Sequence, residues 1–445
     1  MRLRCAHARS FIEAKQGAMI YPRTSTRLRG GGAGSSVPSN DASSAALERL
    51  NASAAEISLD GMTPRQGAAL VERLRALTDE VECRTRDTAR YTEPTSIWTA
   101  LETQHVRLPK MSWLIQHAKN NGILPRKQEL PEEAFMSVQE LKDIYGDGNR
   151  DGVLPIVVIS FCWDTAAHPD PSGKQLKTVA AKMEEERAKY EKLFSDMGVF
   201  WDWLSINQKD PRKFDKSETP EAKPEADRAT FERDLKEKRK FYGGQQYEQS
   251  RTPEEKKSFD YALHETMDLW YAHQGTTVYM LTKLPEGSTR TNGYFDSGWT
   301  TYERCSAEQI KKVYLYEAKW KLVLDLGAKN AEKARNWPIG PEDFDQMIEQ
   351  KHFTNGADTK VVKELFRKMS KNQLGSIKML DFTGIAAPTT QDARRLGGCL
   401  NLCKNLDKLD LSDVALSDDA CKEVFSVLSK GALDKLTVSW RPTAL

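Results

Sequence analysis

The strongest strand signal in the chain is a continuous apolar run at residues 154–161, rich in β-branched side chains. Such a run, in which Ser160 near the end is the one polar residue, predicts a strand that is buried on both faces, as in a parallel sheet. Turn residues follow at 168–173, and apolar residues then recur at helical spacing over 176–197. Residues 199–206 predict a second strand, so this part of the chain predicts a strand–helix–strand unit.

The same alternation continues further along the chain. Apolar positions at 259–271 predict a second amphipathic helix, and residues 276–281 predict a third strand. Strands and helices in this order predict a parallel sheet with right-handed crossovers. Between the second strand and the second helix, residues 209–257 are dense in charge and predict a solvated insertion with a helix at 229–241. We expect one more strand near 321–326, with helices near 341–350 and 359–368.

The C-terminal part of the chain is repetitive. Residues 377–382, 406–411 and 433–438 share the spacing L-x-x-L-x-L, with middle positions at 380, 409 and 436, which lie 29 and 27 residues apart. This period, with a short strand and then a helix in each repeat, is typical of leucine-rich repeats of the long type. Three repeats would make a marginal free array, so we expect them to stack on the preceding domain. The predicted repeat helices are 391–403 and 418–428.

Changes in composition divide the chain into segments. Residues 1–45 contain a Gly- and Ser-rich run and predict disorder. We expect a helical region at 46–150, an α/β domain at 151–330, a helical connector at 331–372 and the repeats at 373–445. The first 29 residues hold seven Lys or Arg and one acid, without the apolar core of a secretory signal. This composition leaves an organelle transit peptide as an alternative for the N-terminal stretch.

Composition narrows the classes of function. The chain has 66 Lys or Arg against 64 Asp or Glu, which gives a net charge of +2 and argues against a general nucleic-acid binder. No window approaches 18 consecutive apolar residues, so no membrane partner is expected. Seven cysteines form no paired framework. Free thiols favour a reducing compartment, and we expect the cytoplasm.

Polar side chains gather where the predicted strands end. In open parallel sheets, ligands bind beside the carboxyl ends of the strands. Ser160 and Asp164 come at the end of the first strand, and Asp202 lies within the second. A segment with Trp299 and Glu303 follows the third strand. These side chains are therefore candidates for one site.

Four blocks around these residues resemble fungal heterokaryon-incompatibility (HET) domains. Residues 158–163 resemble the opening strand of that family, and residues 200–210 resemble its block W-x-D-x-x-C-I-N-Q-x-D. Residues 267–279 resemble the helix–strand block that follows, and residues 298–304 resemble the block G-W-T-x-x-E-R. The blocks stand in the order of the family and cover about residues 153–310.

HET domains are in turn similar to TIR domains, so the resemblance implies a flavodoxin-like α/β fold. In the enzymatic TIR members a glutamate supports cleavage of the nicotinamide–ribose bond of NAD, and the resemblance gives that catalytic role to Glu303. NAD would be a substrate, and no cofactor or metal is implied. The substrate-binding residues implied by the resemblance are Ser160, Phe161, Trp163, Asp164, Asp202 and Trp299.

The implied chemistry has a physical basis. Loss of nicotinamide from NAD gives an oxocarbenium-like ribosyl transition state, as in glycoside hydrolysis. A carboxylate stabilises that positive charge and hydrogen-bonds the ribose hydroxyls. Trp299, Phe161 or Trp163 could stack on a flat ring. Glu303 lies four residues after Trp299, so the two residues share one side of a helix.

The chain departs from the family pattern at several positions. Asp164 stands where HET domains usually carry Gly, and Ser205 stands where they usually carry Cys. Ser297 stands where a basic residue is common. The insertion after Gln208 changes the spacing between the second and third blocks. None of these departures removes Glu303.

Each candidate also has a structural interpretation. Glu303 could be a solvated carboxylate on a helix surface, and Asp202 could bond backbone amides at the end of its strand. Ser160 could bond a turn, and Trp163 could belong to the core. Cys399 and Cys403 share a helix face without other ligands nearby, so a zinc site is not expected.

Two hypotheses for function follow. In the first, the chain is an intracellular signalling or immunity-type protein. Its α/β domain binds NAD, with cleavage of NAD as a further expectation, and its repeats bind a protein partner or regulate the α/β domain. In the second, the α/β domain is a non-enzymatic scaffold that self-associates, as many TIR domains do. The sequence contains no G-x-S-x-G, Walker A or G-x-G-x-x-G motif to support a different α/β chemistry.

Overall fold

The structure, a computed structural model of the chain, describes eight stretches of residues. These are 89–146, 152–237, 239–288, 290–315, 320–327, 335–353, 358–428 and 436–439. The predictions of a disordered segment at 1–45 and of a transit peptide fall outside the described residues, as does the part of the predicted helical region 46–150 that precedes residue 89.

Residues 89–146 form short helices and one small antiparallel strand pair, β1–β2. The elements are α1 (Pro94–Glu102), β1 (Leu108–Pro109), α2 (Met111–Lys119), β2 (Phe135–Met136) and α3 (Val138–Gly146), with 3-10 turns at Lys127–Glu129 and Glu132–Ala134. A capping box precedes α3, since Ser137 and Glu140 each accept a hydrogen bond from the backbone N–H of the other. Apolar side chains of this region, such as Ile97 and Leu108, share one buried cluster with the strands that follow.

Residues 152–327 contain the strand–helix alternation that the sequence predicts. The elements are β3 (Ile156–Phe161), α4 (Lys174–Tyr190), β4 (Gly198–Phe200), α5 (Asp202–Ser205), α6 (Glu225–Lys236), α7 (Gln245–Glu248), α8 (Pro253–Tyr261), α9 (Met267–Ala272), β5 (Thr277–Leu281), α10 (Gly298–Ala307), β6 (Tyr314–Leu315), β7 (Trp320–Lys321) and β8 (Val323–Asp325). Single 3-10 turns lie at Pro211–Lys213, Lys216–Glu218, Pro220–Ala222 and Tyr294–Asp296, and a π turn lies at Ala262–Thr266.

Four of these strands form a parallel sheet in the order β4-β3-β5-β8. Val158, in the middle of β3, lies opposite Phe200 on one side and Val278 on the other. Every residue of β3 and of β5 is buried. Apolar clusters cover both faces of the sheet, as the unbroken apolar run predicts. The chain is thus a mixed α/β protein built on a parallel sheet.

The second strand is shorter than predicted. It ends at Phe200, and the rest of the predicted strand 199–206 forms the short helix α5. Local hydrogen bonds explain the difference, because the Ser205 hydroxyl accepts from the Trp201 amide and the Asp202 carboxylate accepts from the Trp203 amide. Such side chain-to-backbone bonds offer the chain an alternative to a sheet ladder.

The charged insertion 209–257 is largely exposed but is anchored at two points. Phe231 on α6 and Tyr247 on α7 are buried, and the Lys209 ammonium contacts the Glu248 carboxylate at 2.5 Å. Helix α6 begins and ends earlier than the predicted 229–241, because it starts directly after Pro224 and has acidic residues in its first turn. The helix predicted at 259–271 is divided between α8 and α9 by the π turn.

The C-terminal part repeats a strand and a helix. Its elements are α11 (Pro341–Ile348), α12 (Asp358–Ser376), β9 (Met379–Asp381), α13 (Thr390–Leu400), β10 (Lys408–Asp410), α14 (Asp418–Leu428) and β11 (Thr437–Ser439). The strands form a second parallel sheet in the order β11-β10-β9.

The register of this second sheet corrects one predicted spacing. Leu409 pairs with Leu380 on one side and with Val438, not Leu436, on the other. The steps between equivalent positions are therefore 29 residues both times, from 380 to 409 and from 409 to 438. A shift of two residues keeps the same face of the strand toward the core, so the apolar pattern alone does not separate the two alignments.

Within the described stretches, no helix combines the length and the apolar character that are needed to cross a membrane.

Candidate functional site

Ser160 lies near the carboxyl end of the central strand β3 and is fully buried. Its hydroxyl donates to the Glu303 carboxyl oxygen Oε2 at 2.6 Å. Its oxygen also lies 2.6 Å from the Tyr294 hydroxyl. A buried hydroxyl needs partners, and here both partners come from the segment after β5. Ser160 therefore joins the end of the first strand to helix α10.

Glu303 lies on α10 and is partly buried, so it is not a freely solvated surface carboxylate. Burial raises the pKa of Glu303 well above its usual range, and the nearby Asp202 carboxylate raises it further. Hydrogen bonds from Ser160 and Tyr271 act in the opposite direction. The carboxyl group is thus protonated over an unusually wide pH range, and a positive charge placed beside it would favour its ionised form.

Asp202 follows β4 and begins α5. Its carboxylate accepts from the Trp163 indole at 2.9 Å and from the Trp203 amide at 2.7 Å. Burial raises its pKa to about 6 in spite of these two hydrogen bonds. Asp202 thus bonds a backbone amide, and its carboxylate also lies close enough to Glu303 to raise the pKa of Glu303. Two carboxyl groups with raised pKa values meet at one edge of the sheet.

Phe161 and Trp163 occupy different positions relative to this pair. The ring of Phe161 is 5% exposed and packs edge-on against Trp201 in the core. Neighbouring residues of a strand point to opposite faces, so Phe161 faces away from Ser160, and the expectation that both line one site is not met. Trp163 is partly exposed and packs edge-on against Trp203. Its indole therefore lies next to Asp202.

The loops after β3 and β5 are tied together. The Asp164 carboxylate accepts from the Ser288 hydroxyl at 2.5 Å. Arg290 donates to the Trp163 carbonyl at 2.8 Å and to the Ser297 hydroxyl at 2.7 Å. Asp164 thus holds the loop after β3 to the loop after β5. Arg290 brings a guanidinium group to Ser297, the position where the family pattern commonly carries a basic residue.

Trp299 lies one turn before Glu303 on α10, as predicted, but its indole is engaged elsewhere. The indole N–H donates to the Asp358 carboxylate, at the start of α12, at 3.0 Å. The ring packs edge-on against Tyr302. Lys209 lies close enough to lower the pKa of Asp358, although burial raises it more. Trp299 therefore connects the site helix to α12 and to the start of the insertion.

Three residues of the site were not predicted individually: Tyr271, Tyr294 and Arg290. Tyr271 and Tyr294 are fully buried, and burial raises the pKa of both hydroxyl groups well above the usual range. The Tyr271 hydroxyl donates to the Ile159 carbonyl at 3.3 Å and lies close enough to Glu303 to lower the pKa of that carboxyl group. A tyrosine on an apolar helix face resembles an ordinary core residue in sequence. A lone Arg in the polar loop 287–293 was the one available signal.

Among the residues described, no group of three His, Cys, Asp or Glu side chains is arranged to hold a metal ion. Comparison of the chain with protein-family models, with curated proteins and with solved structures finds no match. The function of the site has to be inferred from the chemistry of its own residues.

Proposed function

We propose that the α/β domain binds an NAD-type nucleotide at the carboxyl ends of β3 and β4 and hydrolyses its nicotinamide–ribose bond, with Glu303 as the catalytic residue. The observation that carries the proposal is the hydrogen bond between Ser160 and Glu303, with Asp202 close by. These three residues come from separate HET-like blocks. A random surface glutamate would not be brought to the end of the central strand.

The strand order supports the same assignment. In order of appearance the four strands stand as 2-1-3-4 in the sheet. This is the order at the start of flavodoxin-like sheets, in which ligands bind at the carboxyl ends where the strand order reverses. From β3 the chain goes first to β4 on one side and then to β5 on the other, so the strand order reverses between β3 and β5, beside Ser160. It therefore favours the flavodoxin-like, TIR- and HET-related fold that the sequence resemblance implies.

The reaction would proceed by departure of nicotinamide and attack of water. The nicotinamide nitrogen takes the electron pair of the bond to ribose C1′ and leaves as the neutral base. Water bonds to C1′ and releases a proton, which gives ADP-ribose. Ionised Glu303 would stabilise the ribosyl cation and bond its hydroxyls. Because burial raises the pKa of Glu303, the cationic nicotinamide ring would promote ionisation of this carboxyl group on binding.

The C-terminal repeats supply the second part of the proposal. Constant steps of 29 residues and a parallel sheet with helices between the strands support leucine-rich repeats. Their strands present side chains to solvent on one face, as a surface for a protein partner would. A cytoplasmic signalling or immunity-type protein, with its α/β domain regulated or targeted through the repeats, combines the two parts.

One observation favours the scaffold alternative. Asp164, Trp163 and Arg290, which border the site, are bonded to other protein groups. A non-enzymatic domain that self-associates would have no need to open these bonds. The two functions differ in one measurable property, which is turnover of NAD.

The test is incubation of the full chain with NAD⁺ and measurement of nicotinamide release. Wild type should release nicotinamide, and Glu303→Gln should lose release while still binding the nucleotide by calorimetry. Glu286→Gln, an exposed change in the loop after β5, is the matched control and should behave as wild type. Equal background release from wild type and Glu303→Gln would remove the enzymatic claim and leave the scaffold function.

A further inference from the structure

The register of the central sheet places Asp202 beside Ser160. Strands β3 and β4 pair up to Val158 and Phe200, and these two side chains belong to one apolar cluster. Ser160 and Asp202 each follow two residues later, and the backbone of the residue between Phe200 and Asp202 is still extended. Side chains two residues apart share a face of a strand, and neighbouring strands lie about 4.8 Å apart. Asp202 therefore follows its strand next to the hydroxyl that bonds Glu303.

The Asp202 carboxylate is held in place but can accept further hydrogen bonds. Its Oδ2 accepts from the Trp163 indole, and its Oδ1 accepts from the Trp203 amide. An ionised carboxylate accepts about four hydrogen bonds in all, so each oxygen retains capacity for one more. Asp202, Trp163 and Glu303 are all partly exposed. The edge of the sheet where the two carboxyl groups meet is therefore open to water.

The hydrolysis proposed above releases a proton that none of the steps described so far assigns to a protein group. When water bonds to ribose C1′, its oxygen carries a positive charge until one of its protons is removed. A positioned base that removes this proton accelerates such a step by about 10²–10⁴-fold, and a pKa near the working pH serves best. Burial raises the pKa of Asp202 to about 6. At neutral pH this carboxyl group is therefore ionised, and it is a stronger base than an ordinary aspartate.

We propose that Asp202 is the general base of the reaction and takes a proton from the attacking water. The inference rests on the proposed NAD hydrolysis and adds a second catalytic residue to it. The bond from C1′ to nitrogen breaks with its electron pair on nicotinamide, the water oxygen bonds to C1′, and a water proton passes to an Asp202 oxygen. Asp202 then returns the proton to solvent. Glu303 keeps the separate role of stabilising the ribosyl cation.

The test separates capture of the ribosyl cation by water from its capture by nicotinamide. The full chain is incubated with NAD⁺ and labelled nicotinamide, and the formation of ADP-ribose and of labelled NAD⁺ is measured. Both products require cleavage of the bond, but only capture by water releases a proton. Asp202→Asn should therefore lower ADP-ribose formation by about 100-fold or more and retain the labelling of NAD⁺. Glu303→Gln should lose both products, and Asp227→Asn, an exposed change on α6, should lose neither.

Two failures of this experiment have different meanings. Equal loss of the two products in Asp202→Asn would overturn the assignment of the base, because a binding or structural role acts on cleavage itself. Formation of neither product by wild type would overturn the proposed hydrolysis, and the base with it.

The pH dependence of the product ratio gives a second readout, which is needed if Asp202→Asn proves poorly folded. The ratio of ADP-ribose to labelled NAD⁺ cancels the ionisation of Glu303, on which both products depend. It should rise as pH increases through about 6, the pKa of Asp202. Trp163→Phe keeps an aromatic ring but removes an N–H bond that lowers this pKa, so the rise should move to higher pH. A ratio that does not change with pH in wild type would overturn the assignment.

Other titratable groups around Asp202 are separated from it by the same measurement. Tyr271 and Tyr294 are buried, and burial raises the pKa of both hydroxyl groups well above the usual range. Burial lowers the pKa of His168, in the loop after β3. Arg290, in the loop after β5, carries a guanidinium charge that does not change with pH in this range. Asp202→Asn should therefore give a constant ratio, and a pH dependence that survives in this variant would assign the base to His168 instead.

Discussion

The two parallel sheets of this chain place aspartates at comparable points and give them opposite properties. Asp202 directly follows β4 in the four-stranded sheet, and burial raises its pKa to about 6. Asp410 ends β10 in the C-terminal sheet, where burial also raises the pKa but hydrogen bonds from Ser412 and Lys408 outweigh it and lower the pKa. Both carboxylates accept two or more hydrogen bonds. What separates them is burial, which dominates at Asp202, and the Lys408 ammonium group, which lies beside Asp410 at 2.9 Å.

The difference begins with how the sheets are covered. Every residue of β3 is buried because apolar clusters lie on both faces of that sheet. In β9 only the middle residue, Leu380, is buried, and Met379 is 38% exposed. A doubly covered sheet thus brings polar side chains into contact only where its strands end, in surroundings poor in water. A sheet with one open face leaves its polar side chains hydrated, which suits contact with a partner rather than chemistry.

The strongest test of this comparison is to introduce one aspartate into a strand of each sheet. Val158→Asp should destabilise the protein by about 4 kcal/mol or more, since it buries an unpaired carboxylate in β3. Met379→Asp changes an exposed position of β9 and should alter stability by less than about 0.5 kcal/mol. Chemical denaturation of both variants measures the difference. Similar losses would mean that the two sheets are covered alike.

The two aspartates provide the next test. The raised pKa of Asp202 means that its contribution to stability is fully present below pH 3.8, the ordinary value, and is lost as pH rises through about 6. The stability of Asp202→Asn relative to wild type should therefore increase by about 2 kcal/mol between pH 3.5 and 7.5, after allowance for partial exposure.

Asp410→Asn should show the opposite sign. Its lowered pKa contributes stability above the ordinary pKa of an aspartate, and that stability is lost as pH falls through the folded value. Asp410→Asn should therefore be slightly less stable than wild type at pH 7 and should approach it in acid. Denaturant midpoints across pH 3 to 8 would check both variants. Parallel curves for the two would contradict the comparison.

A smaller effect is expected at Ser160. Its hydrogen bond lowers the pKa of Glu303, so Ser160→Ala should move the ionisation of Glu303 to higher pH. Tyr294→Phe keeps the Ser160 hydroxyl beside Glu303 and should shift it less. Carbon NMR of labelled glutamate carboxyls follows this ionisation without any need for turnover. An unchanged midpoint in Ser160→Ala would show that the bond does not tune Glu303.

The smallest effect belongs to the C-terminal repeats, where polar contacts act singly. Thr389 caps α13 and shares a capping box with Asp392. Thr389→Ala should cost about 1 kcal/mol of stability, and Thr390→Ala, an exposed change one residue further along, should cost less. Thermal unfolding followed by circular dichroism checks the pair. A loss of several kcal/mol for Thr389→Ala would indicate a coupled network like that of the central sheet.

The sequence predicts those elements of the fold that the apolar pattern alone determines. It does not predict the elements that depend on particular hydrogen bonds or on strand pairing. The buried strand β3 and the helices α13 and α14 are visible in sequence because the apolar period alone defines them. The end of β4 is not, because hydrogen bonds of Ser205 and Asp202 divert the chain where the apolar pattern continues. The third repeat shows the same limit, since Leu436 and Val438 fit the pattern equally and only the strand pairing selects Val438.

The site shows a similar limit. Ser160, Asp202 and Glu303 are candidates in the sequence because they lie at strand ends or in motif-like blocks, and the structure brings them close together. Tyr271 and Tyr294 are not recognisable as candidates in the sequence, because their contacts with Glu303 and Ser160 form only when distant parts of the chain fold together. Phe161 was misplaced since the side of a strand that faces the site depends on packing of both layers, which a fully apolar strand does not encode.

The π turn at Ala262–Thr266 ties the length of the chain to the orientation of Tyr271. A π turn holds one residue more than an α-helical turn, and one residue corresponds to about 100° of rotation around a helix axis. Deletion of a single residue here would let α8 and α9 join as one regular helix but would turn the Tyr271 hydroxyl away from Glu303. In evolutionary terms, one insertion event in a helix could have brought a core tyrosine to a carboxyl group, without any substitution at the strand ends.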